Sequence, residues 1–433
     1  MFPYMYKIDA AIPLILGKLC EGLGHNRCGK YGIEAFYMTR IQELVKKYDG
    51  YIRSMRQKFH AHPELAFEEQ WTTKQIAAEL EQLGIPYTIP GDRNTGIVAV
   101  LKGTKPGRGV ALRADMDGLP VQEENEIACQ SRQAGRMHAC GHDGHMAVLL
   151  GAAHMLTELR DEICGTVYFV FQPAEECGQG ARYLMEQGDW FSRVDNVFGG
   201  HLWMAAPAGK VSVEAGPRMA AGDCFRIVVE GRGGHGARPE QTVDALVTAA
   251  AIVMSLQTVV ARHFSPMDQV LLTIGTFHSG HQFNVIPGEA VLEGTTRYFD
   301  LKLGDELRRF IGQLASQTAA AYGASVHMEY RQRVPSVVAN EAASSRIAGE
   351  AVRKVLGDAA LAEVEPTMIG EDFSYYLEKK PGCFAFFGAA NPEKGIVHAH
   401  HNSRFNIDED VLAGAAGIYA QYALDWLREN SGE

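Results

Sequence analysis

The 433-residue sequence lacks the surplus of basic residues that general nucleic-acid binders carry. Its 41 Lys and Arg residues are outnumbered by 52 Asp and Glu residues, and the formal net charge is -11 at pH 7. Proteins that bind nucleic acid usually present a positive surface that neutralises phosphates. We therefore expect no nucleic-acid partner and favour a small-molecule ligand.

The sequence also lacks an apolar run approaching the roughly 20 residues that a membrane-spanning helix needs. We therefore expect no membrane association. The apolar stretch at 10–19 contains Lys18 and precedes no convincing cleavage site, which argues against a signal peptide. Residues 1–37 are interpreted as an N-terminal extension, which either an added arm or a start codon assigned too far upstream would explain.

Tightly spaced cysteine pairs are absent too. The eight cysteines are scattered along a chain that is long enough to fold without disulfide bonds. This pattern predicts a cytoplasmic protein. The hydrophobic fraction of 46% and the charged fraction of 21% are those of an ordinary globular protein. The length suggests about two domains.

The hydrophobic pattern predicts an α/β protein. Short Val-rich runs at 96–101, 109–113 and 165–171 predict buried strands. Amphipathic periodicity predicts helices between and around these strands, at 40–60, 72–83, 145–159, 341–356 and 409–427. A further strand is predicted at 382–387. Because strands alternate with helices, we expect a mainly parallel mixed sheet.

The order of elements changes in the middle of the chain. A strand at 224–229 and a helix at 243–259 precede two strands, at 270–276 and 290–298, and a helix at 305–322 and a strand at 325–330 follow. This βαββαβ order is typical of a ferredoxin-like domain. We expect such a domain at 218–332, inserted into a catalytic domain formed by 38–217 and 333–433.

The clearest chemical motif is Met137-His-Ala-Cys-Gly-His-Asp-Gly-His145, which crowds three histidines, a cysteine and an aspartate before a predicted helix. Thiolate and imidazole both bind divalent metals such as zinc. A cysteine two residues before a histidine can direct both side chains to one ion from a loop. The alternative is that these polar side chains only cap the helix.

Three other motifs carry potential ligands. Glu175 and Glu176 follow the strand at 165–171, His201 follows a predicted strand at 194–198, and a histidine cluster spans 398–401. Each motif has a simpler interpretation: a solvated turn, a core histidine or a polar loop. However, the carboxyl ends of strands in one open sheet meet at a common crevice. The four motifs together therefore favour a dinuclear metal site.

The motifs in combination resemble the amidohydrolase branch of the aminoacylase and carboxypeptidase superfamily. That branch includes plant indole-3-acetyl-amino acid hydrolases and bacterial hippurate hydrolases. The resemblance covers about 41–427 and excludes the N-terminal extension. It is carried by Arg113-Ala-Asp-Met-Asp-Gly-Leu-Pro120, His138-Ala-Cys-Gly-His-Asp143, Gln172-Pro-Ala-Glu-Glu176, Gly233-Gly-His-Gly236 and Asn284-Val-Ile-Pro287.

The resemblance implies a catalytic site with two divalent metal ions, Mn²⁺ or Zn²⁺, with Co²⁺ and Ni²⁺ as further candidates. Glu175 resembles the general base. His401 is preferred to its histidine neighbours because it directly precedes Asn402-Ser-Arg-Phe405, where Ser403 replaces the usual proline. The residues that resemble metal ligands are Cys140, His142, Glu176, His201 and His401.

The resemblance also implies residues around the metals. Asp115 and Asp117 resemble residues that orient ligands, whereas Gly118 departs from the usual alanine. His235 resembles a residue that reaches the neighbouring subunit's site to polarise the substrate carbonyl. Asn284 and Arg297 resemble contacts to the substrate carbonyl and carboxylate. We accordingly expect a homodimer or homotetramer formed through the inserted domain.

The expected activity is metal-dependent hydrolysis of the amide bond of N-acyl amino acids or related small amides. A dipeptidase or carboxypeptidase of the same superfamily and an inactive binding protein are the alternatives. The acyl group stays open, with Met204, Met219, Met368 and Phe373 as candidate pocket residues. Glu371 either lies near the site or caps a helix.

Overall fold

The computed structural model describes residues 39–334 and 336–431, without the side chain of Arg333. The extension expected at 1–37 lies outside the described residues. The α-helices are α1 Arg40–His60, α2 Gln70–Gln82, α3 His142–Glu158, α4 Gly180–Met185, α5 Ala245–His263, α6 Leu301–Ala321, α7 Ala342–Leu356, α8 Ser374–Lys379 and α9 Leu412–Glu429. The strands are β1 Tyr87–Thr88, β2 Ile97–Lys102, β3 Lys105–Asp115, β4 Cys164–Gln172, β5 Asn196–Pro207, β6 Val211–Ser212, β7 Gly216–Met219, β8 Ala221–Glu230, β9 Gly234–His235, β10 Val270–Ser279, β11 Val285–Ile286, β12 Glu289–Tyr298, β13 Ser325–Val334, β14 Val338–Asn340 and β15 Gly382–Ala390.

A seven-stranded mixed sheet organises the larger part of the molecule, in the order β1-β2-β4-β3-β5-β15-β6. The central strands β4, β3, β5 and β15 are parallel, whereas β1, β2 and β6 add antiparallel edges. Asp115 pairs with Gln172 where β3 and β4 both end. The segments that follow these two strands, which carry Asp117 and Glu175, therefore leave the sheet side by side.

Helices α1, α3 and α9 pack against one another on this sheet. Both α3 and α9 are buried over most of their length, which explains why apolar residues occupy all of their faces. Gly151 lets α3 approach α1 closely, because a Cβ there would lie 2.5 Å from Cδ1 of Ile52. This packing fixes the first turn of α3, which carries His142, against the carboxyl end of the sheet.

The segment from β8 to β13 forms a second unit with its own apolar core. Its elements follow the order β8, α5, β10, β12, α6, β13, and its antiparallel sheet has the order β10-β12-β8-β13. The chain enters and leaves this unit through β7 and β14, which pair antiparallel. The expectation that no segment approaches a membrane-spanning length was wrong for α5, which among the described residues is long and apolar enough to cross a membrane. In the structure α5 packs on the sheet of this unit.

Two predicted boundaries were wrong in ways that matter for the site. Helix α3 begins at His142 rather than at 145, because Gly141 adopts φ 92° and starts the helix earlier than the apolar periodicity indicated. His142 therefore lies in the helix and not in the loop before it. Strand β5 continues to Pro207 instead of ending at 198, because it stays paired with β15, so His201 lies inside a strand.

Candidate metal centre

Cys140 and His142 come from the junction between a loop and the first turn of α3. Both side chains are buried. Nδ1 of His142 donates a 2.9 Å hydrogen bond to the backbone carbonyl of Asp117. The other ring nitrogen, Nε2, is buried and has no hydrogen-bond partner among the described residues. With Nδ1 committed to this hydrogen bond, Nε2 is the ring nitrogen of His142 that a cation can bind in place of a proton.

His201 reaches the same point from within β5. Its Nδ1 donates to the carbonyl of Leu202 at 2.8 Å, and its Nε2 lies 3.4 Å from Sγ of Cys140. Burial, together with the neighbouring rings of His145 and His400, lowers the pKa of His201 well below its ordinary value. The imidazole is therefore neutral, with a bare Nε2 facing the thiol.

Glu176 and His401 close the cluster from two loops. Oε1 of Glu176 lies 3.5 Å from Nε2 of His401 and 3.9 Å from Nε2 of His142. Burial opposes ionisation of Glu176, yet the neighbouring imidazoles of His401 and His142 lower its pKa. The N–H of His401, a residue with φ 66°, donates to the carbonyl of Ala139 at 2.8 Å and ties its loop to the cysteine loop.

The donor atoms of these five residues fit divalent cations. Groups of three among them and Glu175, such as Cys140, His142 and His201, place one ligand atom each within 4.8 Å of the others. Burial and the facing Glu176 carboxylate raise the pKa of the Cys140 thiol, so a bound cation would be needed to hold it as thiolate. Imidazole, thiolate and carboxylate together form a donor set suited to zinc-like metals.

Asp117 and Asp115 contact the segments that bear these ligands. The two carboxylate oxygens of Asp117 each accept a 3.0 Å hydrogen bond, one from the N–H of Glu175 and one from the N–H of Glu176. Oδ1 of Asp115 accepts from Nδ1 of His145 at 2.6 Å. Asp115 at the end of β3 and Asp117 just after it thereby bind α3 and the acidic loop.

Two residues that sequence reasoning did not select connect these contacts. Nε2 of His145 accepts the N–H of Leu202 at 2.9 Å, which links Asp115 to the strand that carries His201. The buried Arg113 guanidinium donates to Asp115 at 2.7 Å and to Glu371 at 2.9 Å. A charged residue inside a Val-rich predicted strand was the available signal for Arg113, whereas His145 was visible only as part of the histidine motif.

Glu371 and Glu175 lie close together behind the ligands. An oxygen of Glu175 lies within 4.8 Å of an oxygen of Glu371. Burial, together with the charge of Glu371, raises the pKa of Glu175 well above its ordinary value. Glu371 also accepts the N–H of Phe373 at 2.9 Å just before α8, but α8 has no side-chain cap hydrogen bond, so the capping alternative for Glu371 was wrong. The arrangement gives Glu175 a high affinity for a proton.

A cavity of about 410 Å³ opens over the ligands. Its walls include Trp203, Met219 and Met368. Two of the four candidate pocket residues were wrong, because Met204 and Phe373 do not line this cavity and pack against apolar cores instead. The cavity thus combines a polar floor with a partly apolar wall.

Arg297 enters this cavity from β12 of the second unit. Its Nη1 donates to the carbonyl of Thr296 at 2.8 Å. The side chain crosses β8 above Gly222, where an added Cβ would lie 2.7 Å from Cδ of Arg297. Absence of a side chain at Gly222 therefore leaves room for the guanidinium.

His235 and Asn284 lie elsewhere, side by side on the small β9–β11 ribbon. The N–H of Gly236 donates to the carbonyl of Asn284 at 2.8 Å, and both side chains belong to exposed residues. Neither residue lines the cavity over the metal ligands within this chain. Within a single chain, the structure therefore brings together Arg297, Glu175 and the five ligand residues, but not His235 and Asn284.

The fold is α/β with a mixed sheet, and thiol, imidazole and carboxylate donors cluster at the floor of a cavity. Together these features define a metal-dependent hydrolase. The model of peptidase family M20/M25/M40 matches residues 111–425, and the chain belongs to this family. It is 36% identical over 389 residues to thermostable carboxypeptidase 2 of Saccharolobus solfataricus, covering 89% of this chain and 98% of that protein. It is 39% identical over 400 residues to the IAA-amino acid hydrolase ILR1-like 2 of Arabidopsis thaliana, covering 91% and 89%.

A solved structure from Bacillus subtilis, a dinuclear metal-binding peptidase from the M20 family, superimposes with a TM-score of 0.77. It is 33% identical in sequence and covers 88% of this chain and 99% of its own. The family, this dinuclear neighbour and the ligand groups on the cavity floor together indicate two divalent metal ions.

Proposed function

We propose that the protein hydrolyses the amide bond of N-acyl amino acids and releases a carboxylic acid and an amino acid. The observation that carries this proposal is the convergence of five potential metal ligands and Glu175 beneath a cavity that Arg297 enters. The name of the Arabidopsis relative, an IAA-amino acid hydrolase, agrees with such a substrate.

In this proposal Cys140, His142, Glu176, His201 and His401 hold the two metal ions. Once bound, the ions would polarise the amide carbonyl and make a water molecule acidic enough to react at neutral pH. The thiolate ligand favours Zn²⁺, with Mn²⁺ the other leading candidate and Co²⁺ and Ni²⁺ also compatible with the donor set. Supporting this assignment, the bare Nε2 of His142 faces Glu176.

Glu175 acts as the general base and then as the general acid. It accepts a proton from the attacking water as the new C–O bond forms, and it returns that proton to the amine nitrogen as the C–N bond breaks. A carboxylate oxygen of Glu175 lies within 4.8 Å of donor atoms of His142 and Glu176, which supports a group that can reach a water molecule held by the ligands. Asp117 binds the N–H of Glu175 and limits its movement.

The substrate lies with its carboxylate toward Arg297 and its acyl group along Trp203, Met219 and Met368. A guanidinium suits a carboxylate because it can donate two parallel hydrogen bonds. Asn284 and His235 contact the substrate carbonyl in the site of a neighbouring subunit. Their exposure on the β9–β11 ribbon, away from the cavity of their own chain, supports this assignment.

We assign 38–217 and 333–433 to a catalytic domain, and 218–332 to an inserted ferredoxin-like domain that serves as lid and dimerisation module. The separate core and the βαββαβ order of the second unit support this division. On α5, Leu246, Val247 and Met254 are exposed, with Met254 at 69%, as expected of a face that another subunit covers. A homodimer or a homotetramer satisfies this arrangement.

A cytoplasmic location is part of the same proposal. The six cysteines among the described residues form no disulfide bond. A reducing compartment keeps thiols in that state.

The test is a panel of N-acyl amino acids assayed with chelator-stripped protein to which Zn²⁺, Mn²⁺ or Co²⁺ is returned. We expect metal-dependent release of free amino acid from at least one acylated substrate. Absence of turnover across the panel with every metal would contradict the proposal. The name of the Saccharolobus relative favours peptidase activity as the second candidate. Peptides with a free amino terminus, compared with their acylated forms, distinguish the two activities.

A further inference from the structure

The segment that carries Glu175 and Glu176 turns sharply as it leaves β4. Ala174 adopts φ 57°, a left-handed conformation that non-glycine residues seldom adopt without support from their surroundings. Gly180 packs closely against the same turn, and no side chain would fit there because a Cβ would lie 1.6 Å from the carbonyl oxygen of Pro173. The direction of both glutamate side chains depends on how this strained backbone is held.

Two buried carboxylates hold the strained turn by accepting three successive backbone N–H groups. Asp117 accepts from Glu175 and Glu176 at 3.0 Å each. Oε1 of Glu69 accepts from the strained residue itself, the N–H of Ala174, at 2.8 Å. Glu69 is fully buried and lies 105 positions away from Ala174 in the chain.

Glu69 is free for this contact because another residue caps its helix. It occupies the N-cap position of α2, yet its side chain makes no capping hydrogen bond. Instead the carboxylate of Glu64 accepts the N–H groups of Trp71 at 3.0 Å and Thr72 at 2.8 Å. The side chain of Glu69 is thus directed away from its own helix and across to the acidic segment.

We propose that Glu69 is a positioning residue, which acts through Ala174 to orient the Glu175–Glu176 pair toward the metal ligands and the substrate. The inference rests on the proposed function for the roles of these two glutamates. The hydrogen bond of Glu69 sets the left-handed turn at Ala174, and the bonds of Asp117 then set the next two residues. If the hydrogen bond between Glu69 and Ala174 is lost, the turn relaxes and both Glu175 and Glu176 shift from their positions.

The experiment compares three variants in the full-length, metal-loaded protein. Glu69→Met keeps the side-chain volume but removes the oxygen acceptor, whereas Glu69→Gln keeps an oxygen for the N–H of Ala174. Glu64→Met is the matched control, since it removes a carboxylate that binds two N–H groups of α2 and none of the acidic segment. Measurements are the melting temperature, the affinity for Zn²⁺ by competition with a chromogenic chelator, and kcat and KM on an N-acyl amino acid.

We expect Glu69→Met to lower kcat and to weaken Zn²⁺ binding by about 10- to 100-fold, the usual effect of losing a group that orients a ligand. KM should change little, and Glu69→Gln should stay within about threefold of wild type because it keeps the acceptor. Glu64→Met should lower the melting temperature without either effect. Unchanged kcat and Zn²⁺ affinity in Glu69→Met, or equal losses in Glu64→Met, would overturn the inference.

A further variant covers the case in which Glu69→Met does not fold. Glu69→Asp keeps the carboxyl group but shortens the side chain by one methylene, so the 2.8 Å contact with Ala174 is lost. We expect at least about fivefold weaker Zn²⁺ binding, and wild-type affinity in this variant would overturn the inference. The metal measurement does not need turnover. If wild-type protein hydrolysed no N-acyl amino acid, the proposed function would fail while the role of Glu69 was still decided.

Discussion

Sγ of Cys140 lies 3.4 Å from Nε2 of His201, although 61 positions separate the two residues in the chain. The thiol comes from the loop before α3, and the imidazole comes from the interior of β5. Nδ1 of His201 donates to the carbonyl of Leu202, which leaves Nε2 facing the thiol. This relationship makes the cysteine the first residue to test.

Replacing Cys140 should remove metal from the protein. The Cys140→Ala variant should retain fewer than two equivalents after dialysis and bind Zn²⁺ at least about tenfold more weakly, because a thiolate ligand is lost. Metal analysis of dialysed protein measures this. Cys164→Ala, at the start of β4, is the control and should keep the wild-type content. Equal metal content in both variants would exclude Cys140 as a ligand.

Replacing Glu175 should separate catalysis from metal binding. Glu175→Gln should lower kcat by about 10²- to 10⁴-fold, the usual contribution of a general base, while the metal stays bound. Steady-state kinetics together with metal analysis test this. Near-normal turnover with a full metal content would show that another group moves the proton. Glu186→Gln, on the surface after α4, is the control for the chemical change.

His235 should act in a neighbouring subunit's site. His235→Ala and Glu175→Ala proteins should each be nearly inactive. After they are mixed and reassembled, a random dimer population should recover about a quarter of wild-type activity, because half of the dimers are mixed and each of these has one intact site. If the mixture stays inactive although subunits exchange, His235 does not act across a subunit boundary.

The space above Gly222 should control substrate affinity. In Gly222→Ala the new Cβ would lie 2.7 Å from Cδ of Arg297 and displace the guanidinium. We expect KM for N-acyl amino acids to rise about tenfold, which corresponds to one weakened charge-assisted hydrogen bond. Gly275→Ala in the same sheet is the matched control, because a Cβ there meets nothing within 4 Å. A KM unchanged in Gly222→Ala would argue against Arg297 as the carboxylate contact.

Glu69 should make the folded protein less stable as the pH rises. Burial, together with the nearby Asp117 charge, raises the pKa of Glu69 to about 8. A raised folded pKa favours the protonated folded form. Protonated Glu69 therefore adds to the free energy of unfolding. This contribution is fully present below the ordinary glutamate pKa and is lost as the pH rises through about 8.

The amide of Glu69→Gln does not ionise, so this variant does not lose stability as the pH rises. Its free energy of unfolding minus that of wild type should increase by about 1–3 kcal/mol between about pH 6 and pH 9. Urea unfolding of both proteins at the two pH values measures the difference. A difference in free energy of unfolding that does not change with pH would contradict the ionisation of a buried Glu69.

Much of the fold could be predicted because its signals are local. The periodicity of residues 40–60 predicted α1 at its observed bounds, since a 3.6-residue repeat depends only on neighbouring positions. The start of α3 was misplaced because a single glycine at 141, with a left-handed backbone, overrode the apolar pattern. The end of β5 was misplaced because pairing with β15, nearly 200 residues away, extends the strand.

The sequence by itself determined which side chains are available as metal ligands, and the order of helices and strands that carries them. Only the tertiary structure decided that the imidazoles of His142 and His201 meet at Cys140, that Glu69 binds Ala174, and that His235 lies away from the cavity of its own chain. The physical reason is that motifs and periodicity are short-range properties. Convergence, tautomers and buried hydrogen bonds instead depend on packing between segments that are far apart in the chain.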